Sequence, residues 1–146
     1  MTDHAQRSEP ILAHEIPQPE EYIELRVAAG MSPRTLEAAQ NGLPNSLFCV
    51  TLREEGRLVG MGRVLGDGGC AYLISDIVVH PSMHRRGLGK RIMIEIETYL
   101  DANVPPRSFV SLIADTPADA LYRHFGFIDT APASIGMYRP SPPRQS

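Results

Sequence analysis

The sequence predicts a single α/β domain, and three observations carry that prediction. Apolar residues recur at helical spacing twice, in Tyr22, Leu25, Ala28 and Ala29 and again in Leu88, Ile92, Ile96, Tyr99 and Leu100. Extended runs rich in β-branched and aromatic residues lie between and after them: SLFCVTL, RLVGMGRVL, CAYLISDIVVH and SFVSLIAD. Turn residues separate the runs at Gly30, Gly56, Gly66 to Gly69, Pro105–Pro106 and Gly126. With 146 residues, 42% apolar, and neither an internal repeat nor a linker, one core is expected over residues 1–146. Residues 1–9 and 140–146 read as flexible termini.

Each element follows in chain order. ILAHEI predicts a short first strand, and EEYIELRVAAG a helix stopped by Gly30. SPRTLEAAQNGL predicts a second helix, with Ser32 as cap, Pro33 at the first helical position and Gly42 just past the end. Two strands joined at Glu54, Glu55 and Gly56 make a hairpin. CAYLISDIVVH is apolar on both faces, as a central strand covered on both sides would be. A long amphipathic helix then runs from Gly87 to the prolines. SFVSLIAD is the next strand, PADALYRHFGF holds a short helix, and FIDTAPASIGMYR returns as a final extended segment, with Met137 and Tyr138 in a packed terminal strand.

Charge and cysteine usage narrow the function. A net charge of −3 gives no general attraction to nucleic acid or to an anionic membrane, and no apolar run reaches membrane-spanning length. The N-terminus has no apolar signal core, so the expected location is cytoplasmic. Cys49 and Cys70 match no metal-ligand spacing and read as buried free thiols in a reducing compartment. His80 and His84 are four apart, but Pro81 denies them a helix, and no metal is expected.

The informative stretch is VVHPSMHRRGLGKRIMIEI, residues 78 to 96. Here a strand gives way to a helix across Gly87 and Gly89, with Arg85, Arg86, Lys90 and Arg91 around them. The first turn of a helix presents N–H groups that lack intrahelical partners, at the positive end of the macrodipole. Glycines let a ligand approach those groups, and the cations add attraction, so the stretch reads as a cradle for phosphate or pyrophosphate. A P-loop would need glycine at position 84 and Ser or Thr at 91. A dinucleotide fingerprint would need a third glycine at position 92. His84, Arg91 and Ile92 stand there instead.

The stretch His84, Arg85, Arg86, Gly87, Leu88, Gly89 resembles the acetyl-coenzyme A signature of the GNAT superfamily of N-acetyltransferases, with His84 where Gln or Arg is usual. ALYRHFGF, residues 120 to 127, resembles that family's later motif, and Asp115 stands where an Asn is often found. The resemblance covers Ile11 to Arg139. It implies a mixed central sheet, flanked by helices and splayed at a coenzyme A cleft. By the same resemblance, acetyl-coenzyme A is held by Ile77, Val78 and Val79 on the splayed strand. Its phosphates lie on His84, Arg85, Arg86, Gly87, Leu88, Gly89 and Lys90, with further contacts from Asp115 and Tyr122.

The implied chemistry is direct transfer of the acetyl group to a primary amine, with Tyr122 protonating the departing thiolate and Asp76 as a candidate base. Asp76 also reads as a residue that caps a turn or pairs with an arginine. The acceptor is a small-molecule amine or a peptide or protein amine, and the reading admits a homodimer. A different class of function fits the same cradle: a non-catalytic module that senses coenzyme A or acyl-coenzyme A. The acceptor would be chosen by Glu20 to Asn45 and the hairpin.

Overall fold

Five strands in chain order make one sheet: β1 (Ile11–His14), β2 (Phe48–Glu54), β3 (Arg57–Gly66), β4 (Ala71–Val79) and β5 (Phe109–Leu112). In this computed structural model, which describes residues 9–141, β1 to β4 pair antiparallel and β4 with β5 parallel. The parallel pair requires a crossover, and helix α3 (Leu88–Asn103) supplies it. The chain forms two units, one ending at Leu112 and one beginning at Ile113. The expected flexible termini lie for the most part outside the described residues.

In the first unit, α1 (Pro19–Ala28) starts with Pro19 at its first position, and the Gln18 N–H donates to the Glu21 carboxylate at 2.8 Å. Helix α2 (Leu36–Gly42) begins later than its sequence suggests. Thr35, not Ser32, caps it by accepting the Ala38 N–H at 3.1 Å, and Gly42 is the last helical residue instead of lying past the end. Ser32 is unavailable because its carbonyl and hydroxyl oxygens both accept from the Arg26 guanidinium. The hairpin turns at Glu55 and Gly56 as expected, both with positive φ.

The sheet buries both faces, each against its own helices. On one face Tyr22, Leu25, Ala39 and Leu43 pack with Cys49, Leu58, Met61 and Val78. On the other, α3 buries Leu88, Ile92, Met93, Ile96 and Leu100. β4 crosses this arrangement with a bulge. Arg63 pairs with Ser75 and Met61 with Val78, which is two steps on β3 but three on β4. Asp76 absorbs the extra residue with φ +56. Ser75 and Val78 therefore face α1, whereas Ile74 and Ile77 face α3. The expectation of a strand covered on both sides is corrected at its first half, where Ala71 and Leu73 are exposed.

Packing between sheet and α3 depends on the missing side chain of Gly62. A Cβ there would lie 2.6 Å from both Ile77 Cδ1 and Ile92 Cγ2, and 3.0 Å from Ile96 Cδ1.

In the second unit, α4 (Asp119–His124) ends at Gly126, whose φ of +91 lets the Phe127 N–H return to the Tyr122 carbonyl at 3.1 Å. The expected terminal strand is not there: residues 127–141 form no strand, and Met137 and Tyr138 are exposed. Propensity alone gave that expectation, and a strand exists only where a ladder partner and a half-buried surface support it.

Gly62→Ala should lower the stability of the folded chain by about 1–3 kcal/mol through overpacking, read as a shift of the urea midpoint at unchanged slope. Gly42→Ala, where nothing lies within 4 Å, should leave stability unchanged or raise it by up to about 1 kcal/mol.

Candidate active site

β4 loses its neighbour half-way along. Only Ala71 to Ile74 pair with β5, so from Ser75 to Val79 the edge facing away from β3 has no strand partner among the described residues. Such an edge offers backbone donors and acceptors to an extended ligand. Ile77 and Val79 are partly exposed along it and Val78 is buried.

Directly after β4 the chain makes a single 3-10 turn, Pro81–Met83, and then a loop with two left-handed residues, Arg85 (φ +66) and Gly87 (φ +74). Gly87 is the N-cap of α3, so no side chain closes the helix. The Arg91 N–H is the first to find an intrahelical carbonyl, that of Gly87, at 3.1 Å. Between them, the N–H groups of residues 85 to 90 donate to no protein acceptor among the described residues. A 16-residue helix stands behind these amides and aims its positive end at the loop.

The four cations of the loop divide into two pairs. Arg85 and Lys90 are exposed and form no ion pair among the described residues. Arg86 leans to Glu54 (3.5 Å), and Arg91 donates to the Pro10 carbonyl at 3.2 Å. His84 turns its ring towards the Val79 carbonyl, Nε2 to O 3.2 Å. Leu88 is buried under the loop as part of the α3 core.

Asp76, expected beside the cleft as a candidate base, occupies a buried ion cluster. Its Oδ1 accepts from Arg26 Nη1 at 2.5 Å, and its Oδ2 accepts from Arg63 Nε at 2.6 Å and from the Tyr22 hydroxyl at 3.0 Å. The Tyr22 ring lies against both guanidiniums, 5.9 and 5.8 Å from centroid to Cζ. Burial, and then the Asp76 charge, raise the Tyr22 phenol above its ordinary value, so it serves as a hydrogen-bond donor. With both carboxylate oxygens committed, Asp76 bridges the two arginines, offsets one of their two charges and pins α1 to the bulge, the arginine-pairing alternative of the sequence reading. Arg26 and Arg63 were not singled out from the sequence. Their signal was a charge on an apolar face: Arg26 lies four residues after Tyr22, and Arg63 two after Met61.

Of the remaining predicted residues, Tyr122 is buried on α4, and its phenol is raised by burial first and by the Asp115 charge second. Asp115 itself is exposed, and its carbonyl accepts the Ala118 N–H at 2.8 Å. Cys49 is a buried free thiol, pushed up to about 12 by burial, whereas Cys70 is exposed, against expectation, because it lies in the Gly-rich turn before β4. Its N–H is one of three that Asp67 accepts in closing that turn.

A strand with a free edge, running into a glycine-opened helix N-terminus with unsatisfied amides, is the arrangement that the sequence resemblance implied. Residues 12–127 match the model of the acetyltransferase (GNAT) family. This chain belongs to that family. It is 30% identical over 116 residues to an uncharacterized N-acetyltransferase, ycf52, of Porphyra purpurea, a match covering 76% of this chain and 65% of that protein. The chain thus spans just under two thirds of that relative. A solved structure from meticillin-resistant Staphylococcus aureus, a protein of unknown function and probable acetyltransferase, is 49% identical with a TM-score of 0.87, covering 90% of this chain and 99% of that one. A GNAT family acetyltransferase from Streptococcus pneumoniae TIGR4 shares the fold, with a TM-score of 0.74 at 22% identity, over 90% of this chain and 98% of that one.

Replacing Asp76 tests the role of the cluster. Asp76→Asn should cost about 3 kcal/mol or more in a denaturant titration, because the buried Arg26 and the partly buried Arg63 lose their counter-charge. A residue acting only as a base would leave stability untouched and affect turnover alone.

Proposed function

We propose that this chain is an acetyl-coenzyme A-dependent N-acetyltransferase acting on a primary amine. The observation that carries the reading is the continuity of β4's free edge with the six unsatisfied amides of residues 85 to 90.

The residues present fit coenzyme A. Amides at the head of α3 suit its pyrophosphate, with Arg85 and Lys90 free to meet phosphate charge and Gly87 and Gly89 leaving room for close approach. The edge from Ser75 to Val79, including Ile77, Val78 and Val79, suits its amide-bearing arm. His84 and Arg86 shape the loop more than they meet the ligand, since each already has a protein partner. The coenzyme supplies an acetyl thioester, whose carbonyl carbon is open to attack by a neutral amine.

Tyr122 is the proton donor in this proposal. A phenol raised above its ordinary value stays protonated through neutral pH, and it can hydrogen-bond to a thiolate as charge develops on sulfur. Asp115 assists by its charge alone, keeping that phenol neutral. Asp76 acts at one remove, holding the bulge that sets the shape of the edge, while water takes the amine proton. The setting we propose is cytoplasmic, where Cys49 and Cys70 remain thiols.

Two measurements test this. Gly89→Val should reduce coenzyme A affinity in calorimetry below detection while the circular dichroism spectrum stays folded, because a branched side chain blocks the amides. Unchanged affinity would move the binding site elsewhere. Tyr122→Phe keeps the ring, so turnover at saturating acetyl-coenzyme A should fall by about tenfold or more, with affinity changed by no more than about threefold. Rates taken across pH separate this loss from a change in amine protonation. Equal turnover, with chemistry rate-limiting, would remove Tyr122 from the mechanism.

A further inference from the structure

Resting on the transferase reading above, we propose that the acceptor is an apolar α-amino acid, with its carboxylate on Arg63 and its side chain on the open half of the sheet face beside β4. Strand register places this site. Arg63 pairs with Cys49 and Ser75, and one rung further along, Leu65 pairs with Leu73. Residues two apart share a face, so Arg63, Ser75, Leu65 and Leu73 lie together on the α1 side of the sheet. Phe109 continues that face through its pairing with Ala71.

The helices cover only part of this surface. Cys49, Met61 and Val78 are buried against α1 and α2, but Leu73 is 38% exposed and Phe109 61% exposed. An apolar strip therefore opens where the buried cluster ends, and Arg63 stands at the junction.

Arg63 has donors to spare. Its Nε is committed to Asp76 and its Nη1 to the Ser46 hydroxyl at 3.2 Å, whereas its Nη2 donates to nothing among the described residues. By contrast, Arg26 uses all three of its nitrogens. The cluster holds two guanidiniums and one carboxylate, and Tyr22 and Cys49 beside it are neutral groups, so one positive charge is left over. The Arg63 side chain is 12% exposed. In such a partly desolvated place an anion gains a charge-assisted hydrogen bond that water competes for poorly.

Geometry joins the two features. Successive rungs on one face are roughly 7 Å apart, about the span from the carboxylate to the far end of a leucine or phenylalanine side chain. Ser75, the partner of Arg63, is also the first residue of β4's free edge, so an amine one carbon from the carboxylate sits beside the thioester arm. In the transfer, the amine lone pair forms the C–N bond and the C–S bond breaks, with its electron pair leaving on sulfur. The nitrogen then loses one proton, and the products are an N-acetyl amino acid and free coenzyme A. No oxidant or reductant is needed.

This chain with acetyl-coenzyme A should be offered leucine, phenylalanine and glycine, the carboxylate-free counterparts isoamylamine and phenethylamine, leucinamide, and a short peptide. Free-thiol release gives kcat/KM for each, and calorimetry gives leucine and coenzyme binding. Leucine and phenylalanine should exceed their carboxylate-free counterparts on the order of 10- to 100-fold, the value of a charged hydrogen bond. Arg63→Gln should bring that ratio close to one, a within-variant comparison that any general loss of folded protein leaves unchanged. Leu73→Ser, at an exposed position, should reduce the preference for leucine over glycine while the carboxylate preference stays. If amines or peptide react as well as leucine, or the ratio survives Arg63→Gln, the acceptor assignment is wrong and the transferase reading stands. If no amine releases thiol and leucine does not bind, the acceptor assignment falls, and the transferase reading falls with it if coenzyme A does not bind either.

Discussion

Asp76 holds two guanidiniums that would otherwise be buried without counter-charge, and much of the first unit is arranged around that need. Removing one partner of such a cluster leaves an uncompensated charge in the interior, which costs far more than the pair itself contributes. Arg26 reaches Asp76 from α1 and takes Ser32 from the loop beyond. Arg63 reaches it from β3 and takes Ser46 from the segment before β2. The carboxylate therefore ties a helix, two strands and two connections at one point, the extra residue of β4. A bulge tied in this way has a set position, so the place where β4 changes its outward face is set as well.

That change of face organises the rest. Ile77 is turned onto Ile92 and Ile96, which is why Gly62 must lack a side chain. Among the described residues, β4 pairs from Ser75 onward only with β3, and the turn after Val79 delivers the chain to Gly87 with the first amides of α3 still without a protein acceptor. Edge and amides are thus consecutive parts of one path, and a ligand that is extended at one end and anionic at the other matches it. The loop cations are not equivalent. Arg86 and Arg91 tie the loop to the hairpin and to the residues before β1, whereas Arg85 and Lys90 form no ion pair among the described residues.

The second unit contributes a short helix and an unpaired tail. Tyr122 is buried and carries a raised phenol, whereas the apolar residues of the tail, Ile128, Ile135, Met137 and Tyr138, face solvent. Their exposure shows how little a β-forming composition decides without a partner strand.

The sequence by itself determined the strand–loop–helix unit of residues 78 to 96, because its signals are local: a proline, two glycines and a periodic helix, each acting within a few residues. The hairpin at Glu55–Gly56, the two long helical patterns and the family motifs were legible for the same reason. What only the tertiary structure decided depends on residues far apart in the chain. Ser32 lost its capping role to Thr35 because Arg26 needed its oxygens, and Asp76 became a buried counter-ion because Arg63 and Arg26, 13 and 50 residues away, converge on it. A single extra residue in β4 reversed its facing, which periodicity cannot register when both faces are apolar. Local signals specify elements through short-range sterics and hydrogen bonding, but the pairing of buried charges is set by which elements meet.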